Sequence, residues 1–411
     1  MKVALLGYGT VGSGVYELIQ KNNENILENF SKDVKVVKIL VKNLDKYKSH
    51  ESFELFTNKF TDLIQENIDI AIETIGGIYP TYDYLEYFLS KGIPVITANK
   101  DLIAEKGNDL LEIAKANNTI LSFEASVGGG IPILKPLQEC LAGNKIKNIS
   151  AVINGTTNFI LTKMYSDDLS YEAALELAQK MGFAESDPTS DVEGYDAMRK
   201  LVILSSIGYK KNIKWKELPI EGISNILKSD IDYAKEENYR MKLLAFSEDM
   251  GDGIYGTVRP VYVTSSSKYA KIDNEYNAVL LEGDAVGELM FTGKGAGKFP
   301  TASAILGDLL DIVQNKKKHP SYHYQDSIHI HPYYPKRARW IIRFTNGKLE
   351  DLTMLLFQNF SAHAIKLSKG ADSDALYVQL VADNEEALLQ QLNQVAHKAN
   401  CKYKHFLLFD K

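Results

Sequence analysis

The chain has 411 residues, 45% of them hydrophobic and 24% charged, with a formal net charge of −6. That length exceeds a single typical core and implies two or three domains, and the acidic balance argues against nucleic acid or a membrane surface as a partner. No apolar run reaches the ~20 residues of a membrane span; Met1–Gly7 reads as a first strand and not a leader. Two distant cysteines, Cys140 and Cys401, suit a reducing, cytoplasmic setting.

In chain order, the first 125 residues alternate strand and helix patterns, which predicts an α/β fold with a parallel, doubly wound sheet. Val3–Leu6 is an apolar strand, and the helix after it carries Val11, Val15, Leu18 and Ile19 on one face. Further strands are expected at Val36–Val41, Ile68–Glu73 (ending in Gly76-Gly77), Ile93–Thr97 and Ile120–Phe123. Residues 126–318 mix strands (Asn148–Ile153, Val258–Thr264) with helices such as Tyr171–Met181, which reads as a second, α+β domain. Residues 319–335, rich in Tyr, His and Pro, read as a linker. From 336 to 411 come strand Trp340–Phe344, helix Leu349–Gln358, strands Ala362–Leu367 and Leu376–Val381, helix Glu385–Lys398 and strand Tyr403–Phe409. That βαββαβ order predicts a ferredoxin-like module, with Leu388, Leu392 and Val395 as an apolar helix stripe.

Gly7-Tyr8-Gly9-Thr10-Val11-Gly12 stands between the first strand and its helix. The glycines of such a fingerprint give a tight turn, close backbone approach to a pyrophosphate and helix-on-strand packing, and the helix N-terminus holds the phosphates. Where NAD specificity calls for an acid after the second strand, this chain reads Val41-Lys42-Asn43-Leu44-Asp45-Lys46. Lysines there suit the 2′-phosphate of NADP; as merely solvated charges they leave NAD open. All eight histidines lie outside residues 51–318, so chemistry built from that stretch must move protons with Lys, Asp, Glu or Tyr. Cys140, in the amphipathic pattern Leu137–Leu141, reads as a buried structural thiol. A cysteine-dependent aldehyde oxidation would therefore lack both an exposed nucleophile and a base.

Five blocks remain: Thr97-Ala98-Asn99-Lys100; Phe123–Ile133 with its three consecutive glycines; Asn154–Leu161; Gly182–Pro188 running on through Asp191–Ala197 to Arg199-Lys200; and Gly293 with Gly295–Gly297 and Pro300–Ala304. In this order and spacing, over residues 1–312, they resemble the homoserine dehydrogenases, which interconvert L-homoserine and L-aspartate 4-semialdehyde on the route to threonine, methionine and isoleucine. The resemblance implies that Lys100 and Lys200 handle the proton, facing lysines lowering one another's pKa. Asp196 orients Lys200 or the substrate. Glu185 accepts the substrate ammonium, with Asp191 in the same pocket. Read without the resemblance, Asp196 and Lys200 are an i, i+4 surface pair, and acids near Pro188 are helix caps. The resemblance also implies cofactor contacts from Gly76, Lys100 and Gly297, beside Gly7, Gly9, Thr10, Val11, Gly12 and Lys42. It places a helix near 300–315 back on the first sheet. It implies a Na+ held mainly by backbone oxygens of Glu124, Val127, Gly129 and Ile131 at the hinge between domains; the glycines equally allow a close crossover. The assembly expected is a homodimer or homotetramer. The C-terminal module resembles an ACT domain with threonine as effector, although its first turn, Thr345–Leu349, lacks the usual acid and Pro-Gly; packing between subunits is the other reading. A non-catalytic sensor of nucleotide and amino acid would not need the two lysine blocks.

Overall fold

The computed structural model describes residues 1–314, 328–347, 349–360, 366–369 and 375–410. Three of the histidines (His319, His323 and His363), the first part of the expected linker and residues 362–365 of the expected strand lie outside them. The chain forms two compact units: Met1–Lys145 with Val202–Trp215 and Phe291–Asp326, and Ile146–Leu201 with Lys216–Met290 and Ser327–Lys411.

In the first unit, β1 (Lys2–Leu6), β2 (Lys35–Leu40), β3 (Phe56–Thr57), β4 (Ile70–Glu73), β5 (Val95–Thr97) and β6 (Leu121–Ser122) form a parallel sheet ordered β3-β2-β1-β4-β5-β6. This is the order of a doubly wound nucleotide-binding sheet, with its switch point between β1 and β4. Val3, Ala4, Leu5 and Leu6 are all fully buried, as expected of a strand covered on both faces. Helices α1 (Thr10–Phe30), α2 (Phe60–Gln65), α3 (Thr81–Ser90) and α4 (Lys100–Ala116) follow β1, β3, β4 and β5. The expected strands are recovered with ends that differ by one or two residues. The two-residue β3 is too short to show any periodicity.

The returning helix is α10 (Lys298–Val313), whose Ala302, Ile305 and Leu309 are fully buried in the same core as Val15 and Ile19 of α1. Gly14 makes that crossing possible, because a Cβ there would sit 2.8 Å from the Lys298 carbonyl oxygen. Pro136–Cys140 is a single π-helical turn and not an amphipathic helix. Leu137 and Leu141 are buried there while Cys140 is exposed, correcting the expected buried thiol.

In the second unit, β7 (Ile146–Val152), β8 (Tyr239–Asp249), β9 (Ile254–Thr264) and β10 (Tyr276–Gly283) pair antiparallel; β8 and β9 stay in register over their full lengths. Alongside are β11 (Gly287–Lys294), α5 (Gly155–Ser166), α6 (Tyr171–Lys180), α7 (Thr189–Val192), α8 (Tyr195–Tyr209) and α9 (Lys228–Glu236), with β11 and α8 each running on into the first unit. Within the expected linker, β12 (Ile330–His331) pairs with β9. The C-terminal segment supplies β13 (Ala338–Thr345), α11 (Leu349–Asn359), β14 (Lys366–Lys369), β15 (Leu376–Ala382), α12 (Glu385–Ala399) and β16 (Lys402–Leu408). Its strands run β16-β13-β15-β14, and β16 joins β9 in parallel, so one sheet continues through both parts of this unit. Leu388, Leu392 and Val395 are fully buried beneath it, each contributing ~1.5–3 kcal/mol by leaving water.

Candidate active site

The fingerprint occupies the β1–α1 turn. Gly7 has φ of 100°, a left-handed backbone that side chains avoid. A Cβ on Gly12 would lie 2.3 Å from the Gly7 carbonyl oxygen. Gly9 caps α1 with no side-chain hydrogen bond, and no acid sits in the first turn, so the N–H groups and dipole of Thr10, Val11 and Gly12 present a positive end. These features fit a dinucleotide pyrophosphate. Lys42 and Lys46, just beyond β2, are both exposed. Tyr8, inside the fingerprint, meets His50 (hydroxyl to Nε2, 2.9 Å), and its phenol is pushed up to about 12 by burial first, with Tyr16 and other neighbours adding to it. Tyr47, within the Lys42–Lys48 loop, donates its hydroxyl to the Tyr8 carbonyl at 3.0 Å and so ties that loop to the fingerprint.

At the carboxyl edge of the same sheet, β4 ends on Glu73, whose side chain is fully buried. Its Oε1 accepts the N–H groups of Ile75 (2.7 Å) and Gly76 (2.8 Å), and its Oε2 accepts the Thr97 hydroxyl. Burial raises its carboxyl above the ordinary range, and these hydrogen bonds act in the opposite direction. Asn99 caps α4 by accepting the Leu102 N–H at 3.0 Å, worth about 1 kcal/mol. Lys100 is the first residue of that helix and is half-buried.

The three-glycine loop is shaped by close packing. A Cβ on Gly129 would lie 2.2 Å from the Gly295 carbonyl oxygen, and Gly130 donates its N–H to Lys294 at 3.1 Å. Gly297 caps α10, is exposed and has φ of 121°. Glu124, Val127, Gly129 and Ile131 are all buried. The Glu124 carboxylate accepts the N–H groups of Ile133 (2.6 Å), Leu134 (2.9 Å) and Lys135 (2.7 Å), so its side chain is taken up by the main chain that follows the loop. Neutral oxygens in a tight curl fit a monovalent cation better than a divalent one, which draws carboxylates. Among the described residues no cluster of three or more His, Cys, Asp or Glu side chains could hold a metal.

In the second unit, a buried polar cluster gathers around the start of α5. Asn154 caps α5 through Oδ1 (Thr157 N–H, 2.8 Å) and uses its amide to bridge Asp191 at 2.7 Å and Asp196 at 2.8 Å. Thr156 donates to Asp191 at 3.2 Å. The Lys200 amine meets Asp196 at 2.8 Å and the Ile153 carbonyl at 3.1 Å, with side chains only 12% and 7% exposed. An i, i+4 pair that reads as a surface ion pair is therefore a desolvated one. Burial, and then the Asp196 charge, raise the Asp191 carboxyl. Glu185 stands exposed and outside this cluster; Asp187, by contrast, caps its own turn through Thr189. Asn158, in the same sequence block as Asn154, instead donates to the carbonyls of Ile272, Asn274 and Tyr276 and accepts from the buried Lys242, holding a loop.

A sequence model of the homoserine dehydrogenase NAD-binding domain matches residues 7–124, and one of homoserine dehydrogenase itself matches residues 132–310. The chain belongs to the homoserine dehydrogenase family. It is 43% identical to the homoserine dehydrogenase of Bacillus subtilis over 77% of this chain and 74% of that one. The Pseudomonas aeruginosa homoserine dehydrogenase is 34% identical over 96% and 94%. The crystal structure of a homoserine dehydrogenase from Thiobacillus denitrificans superposes with a TM-score of 0.89 at 32% identity, covering 100% of this chain and 98% of that one. As a homoserine dehydrogenase, the enzyme is an oxidoreductase that interconverts L-homoserine and L-aspartate 4-semialdehyde with a nicotinamide cofactor. The alternatives of a cysteine-dependent aldehyde oxidation and of a non-catalytic sensor fall with that assignment. No helix among the described residues is long and apolar enough to cross a membrane.

Two buried groups of this homoserine dehydrogenase escaped the reading by motif. Glu73 announces itself only as a lone charge ending the apolar run Ile70-Ala71-Ile72. Asn154 lies inside a quoted block, but its bridge to two carboxylates distant in sequence is a tertiary fact.

Proposed function

We propose that Lys200 is the group that exchanges a proton with the C4 oxygen of homoserine, held by Asp196, and that Lys100 assists from the head of α4. The observation that supports this most is the buried Lys200 amine fixed by Asp196 and the Ile153 carbonyl. Of its three donor positions, two are used there, and the third is assigned to the substrate oxygen. Asn154 keeps Asp191 and Asp196 together despite their like charge, forming an acidic wall for the substrate ammonium. Glu185, exposed, is assigned to the same ammonium.

The nicotinamide cofactor, when bound, accepts or returns the hydride at C4. The α1 N-terminus and fingerprint glycines hold its pyrophosphate, Gly76, Gly297 and Lys100 flank its reactive end, and Lys42 with Lys46 selects NADP over NAD. A homoserine dehydrogenase described as hyperthermophilic and archaeal was crystallised with NADPH; it is 26% identical, with a TM-score of 0.63 over 75% of this chain. The main-chain carbonyls of Glu124, Val127, Gly129 and Ile131 would hold a monovalent cation, Na+. We read the chain as a cofactor domain, a substrate domain and a C-terminal ACT module, assembled as a homodimer or homotetramer in the cytoplasm. The module's strand order supports the ACT reading, with threonine as its effector, in the pathway to threonine, methionine and isoleucine.

Following the absorbance of the reduced nicotinamide with homoserine and either NADP or NAD tests this reading. Lys200→Ala should lose about 100-fold or more in kcat while binding cofactor normally. Near-normal turnover of that variant would overturn the assignment, and faster turnover with NAD would overturn the NADP preference.

A further inference from the structure

We propose that Glu73 is a positioning residue of the reaction: a single buried carboxylate locks the Ile75–Gly77 loop and the Thr97–Lys100 turn into one hydrogen-bonded unit. This rests on the assignment of Gly76 and Lys100 to the active site and adds the group that sets their spacing.

The unit closes on itself. Glu73 Oε1 takes the N–H groups of Ile75 and Gly76, so the loop backbone wraps around the carboxylate. Its Oε2 takes the Thr97 hydroxyl. The Thr97 oxygen then accepts the Asn99 N–H at 3.0 Å. Asn99 returns to the loop through its side-chain amide, which donates to the Gly77 carbonyl at 2.6 Å, and its Oδ1 starts the helix that begins at Lys100. All of this lies at the carboxyl edge of a parallel sheet, where the ligand-binding loops of this topology emerge.

The chemistry favours a carboxylate. Two backbone N–H groups fix Oε1 as an acceptor, and an ionised carboxyl lets Oε2 accept the Thr97 hydroxyl as well; in an amide or a protonated acid that second contact would run the other way and leave the hydroxyl hydrogen to find another acceptor. Hydrogen bonds to an ionised acceptor are also about twice as strong as neutral ones. Keeping a fully desolvated carboxylate is costly, and an apolar residue would fill the end of β4 at less cost if packing were its only task. Displacing the carboxylate would move the backbone on which the cofactor loop and Lys100 both depend, and a shift of about 1 Å is enough to impair a reacting geometry.

Glu73→Gln and Thr97→Val in the full-length enzyme test the proposal. Glu73→Gln keeps shape and volume but turns an NH2 toward Thr97. The expected result is a native circular dichroism spectrum and unchanged KM for homoserine. Cofactor Kd should rise, and kcat fall, by about tenfold each, as expected for loss of one charge-assisted hydrogen bond. Thr97→Val should move the same two constants in the same direction, the double variant should be no worse than Glu73→Gln alone, and Thr97→Ser should restore both. A Glu73→Gln enzyme with cofactor Kd and kcat within about twofold of the parent, or independent, additive effects of the two substitutions, would overturn it. Should Glu73→Gln fail to fold, Thr97→Val alone decides: unchanged Kd and kcat refute the coupling. Lys100→Ala separates the two levels. If it keeps full turnover, the site assignment itself falls and the proposal with it. If it collapses turnover while Glu73→Gln is neutral, only the positioning role is refuted.

Discussion

At the scale of single residues, the site depends on groups whose identity is fixed by what surrounds them. Gly12 is the clearest, since any side chain would enter the space of the Gly7 carbonyl, 2.3 Å from the would-be Cβ. Gly12→Ala should therefore cost ~1–3 kcal/mol of stability and abolish the rise in melting temperature that cofactor gives the parent. Thermal melts with and without NADP check both parts. The fingerprint was legible because three glycines at fixed spacing announce a backbone need. Lys200 with Asp196 was half-legible: the spacing shows a shared helix face, and only the family resemblance pointed inward. Asn154 and Glu73 were not, because a polar residue's partners across 37 or 24 positions of chain leave no local pattern.

At the scale of elements, periodicity succeeded wherever an element had a clear apolar face and failed where it was short. The ends of α12 were read to within a residue, because Leu388, Leu392 and Val395 repeat at helical spacing and Asn384 caps the start through the Ala387 N–H at 2.8 Å. The π-turn at Pro136–Cys140 was misread as an amphipathic helix for the opposite reason. The first turn of α12 also carries Glu385, which accepts from Arg259 of β9 at 2.7 Å and lies 3.0 Å from His405 of β16. Burial by itself would raise this carboxyl, but His405 and Arg259 outweigh it and hold it down at about 2. A carboxylate lowered by folding stabilises the native state at any pH above its ordinary value of 4.5, and that contribution disappears as pH falls toward 2. It amounts to roughly 3 kcal/mol when fully developed. Urea midpoints measured from pH 6 down to pH 2 should show this loss, and Glu385→Gln should be less stable at pH 6 and show a shallower decline.

At the scale of the whole molecule, the C-terminal segment is built into the second unit as more than an appendage. β16 pairs with β9 through Leu407 to Val261 and Leu408 to Tyr262, and Asp230 of α9, fully buried, pairs with Arg343 of β13 and accepts from Tyr377 of β15 at 3.0 Å. Ending the chain at residue 335 would expose the β9 edge and strand Asp230 without its cation. Both are destabilising, the first by inviting edge-to-edge association and the second by about 3–5 kcal/mol. The truncated chain should be mostly insoluble, which soluble yield and light scattering will show; a soluble and fully active truncation would contradict this account.

The chain by itself determined the parallel doubly wound sheet, the nucleotide fingerprint and the family, and its lack of histidine over residues 51–318 left Lys, Asp, Glu or Tyr as the expected proton carriers. These are written in spacing, residue type and local pattern, which need no partner to be read. Only the tertiary structure decided that Lys200 and Asp196 are buried together, that Asn154 binds two acids, that Glu73 ties two loops to one carboxylate, and that β9 and β16 share a sheet. Each of those is a contact between residues far apart in the chain, and burial, which sets the worth of a charge or a hydrogen bond, exists only once the chain has folded around it.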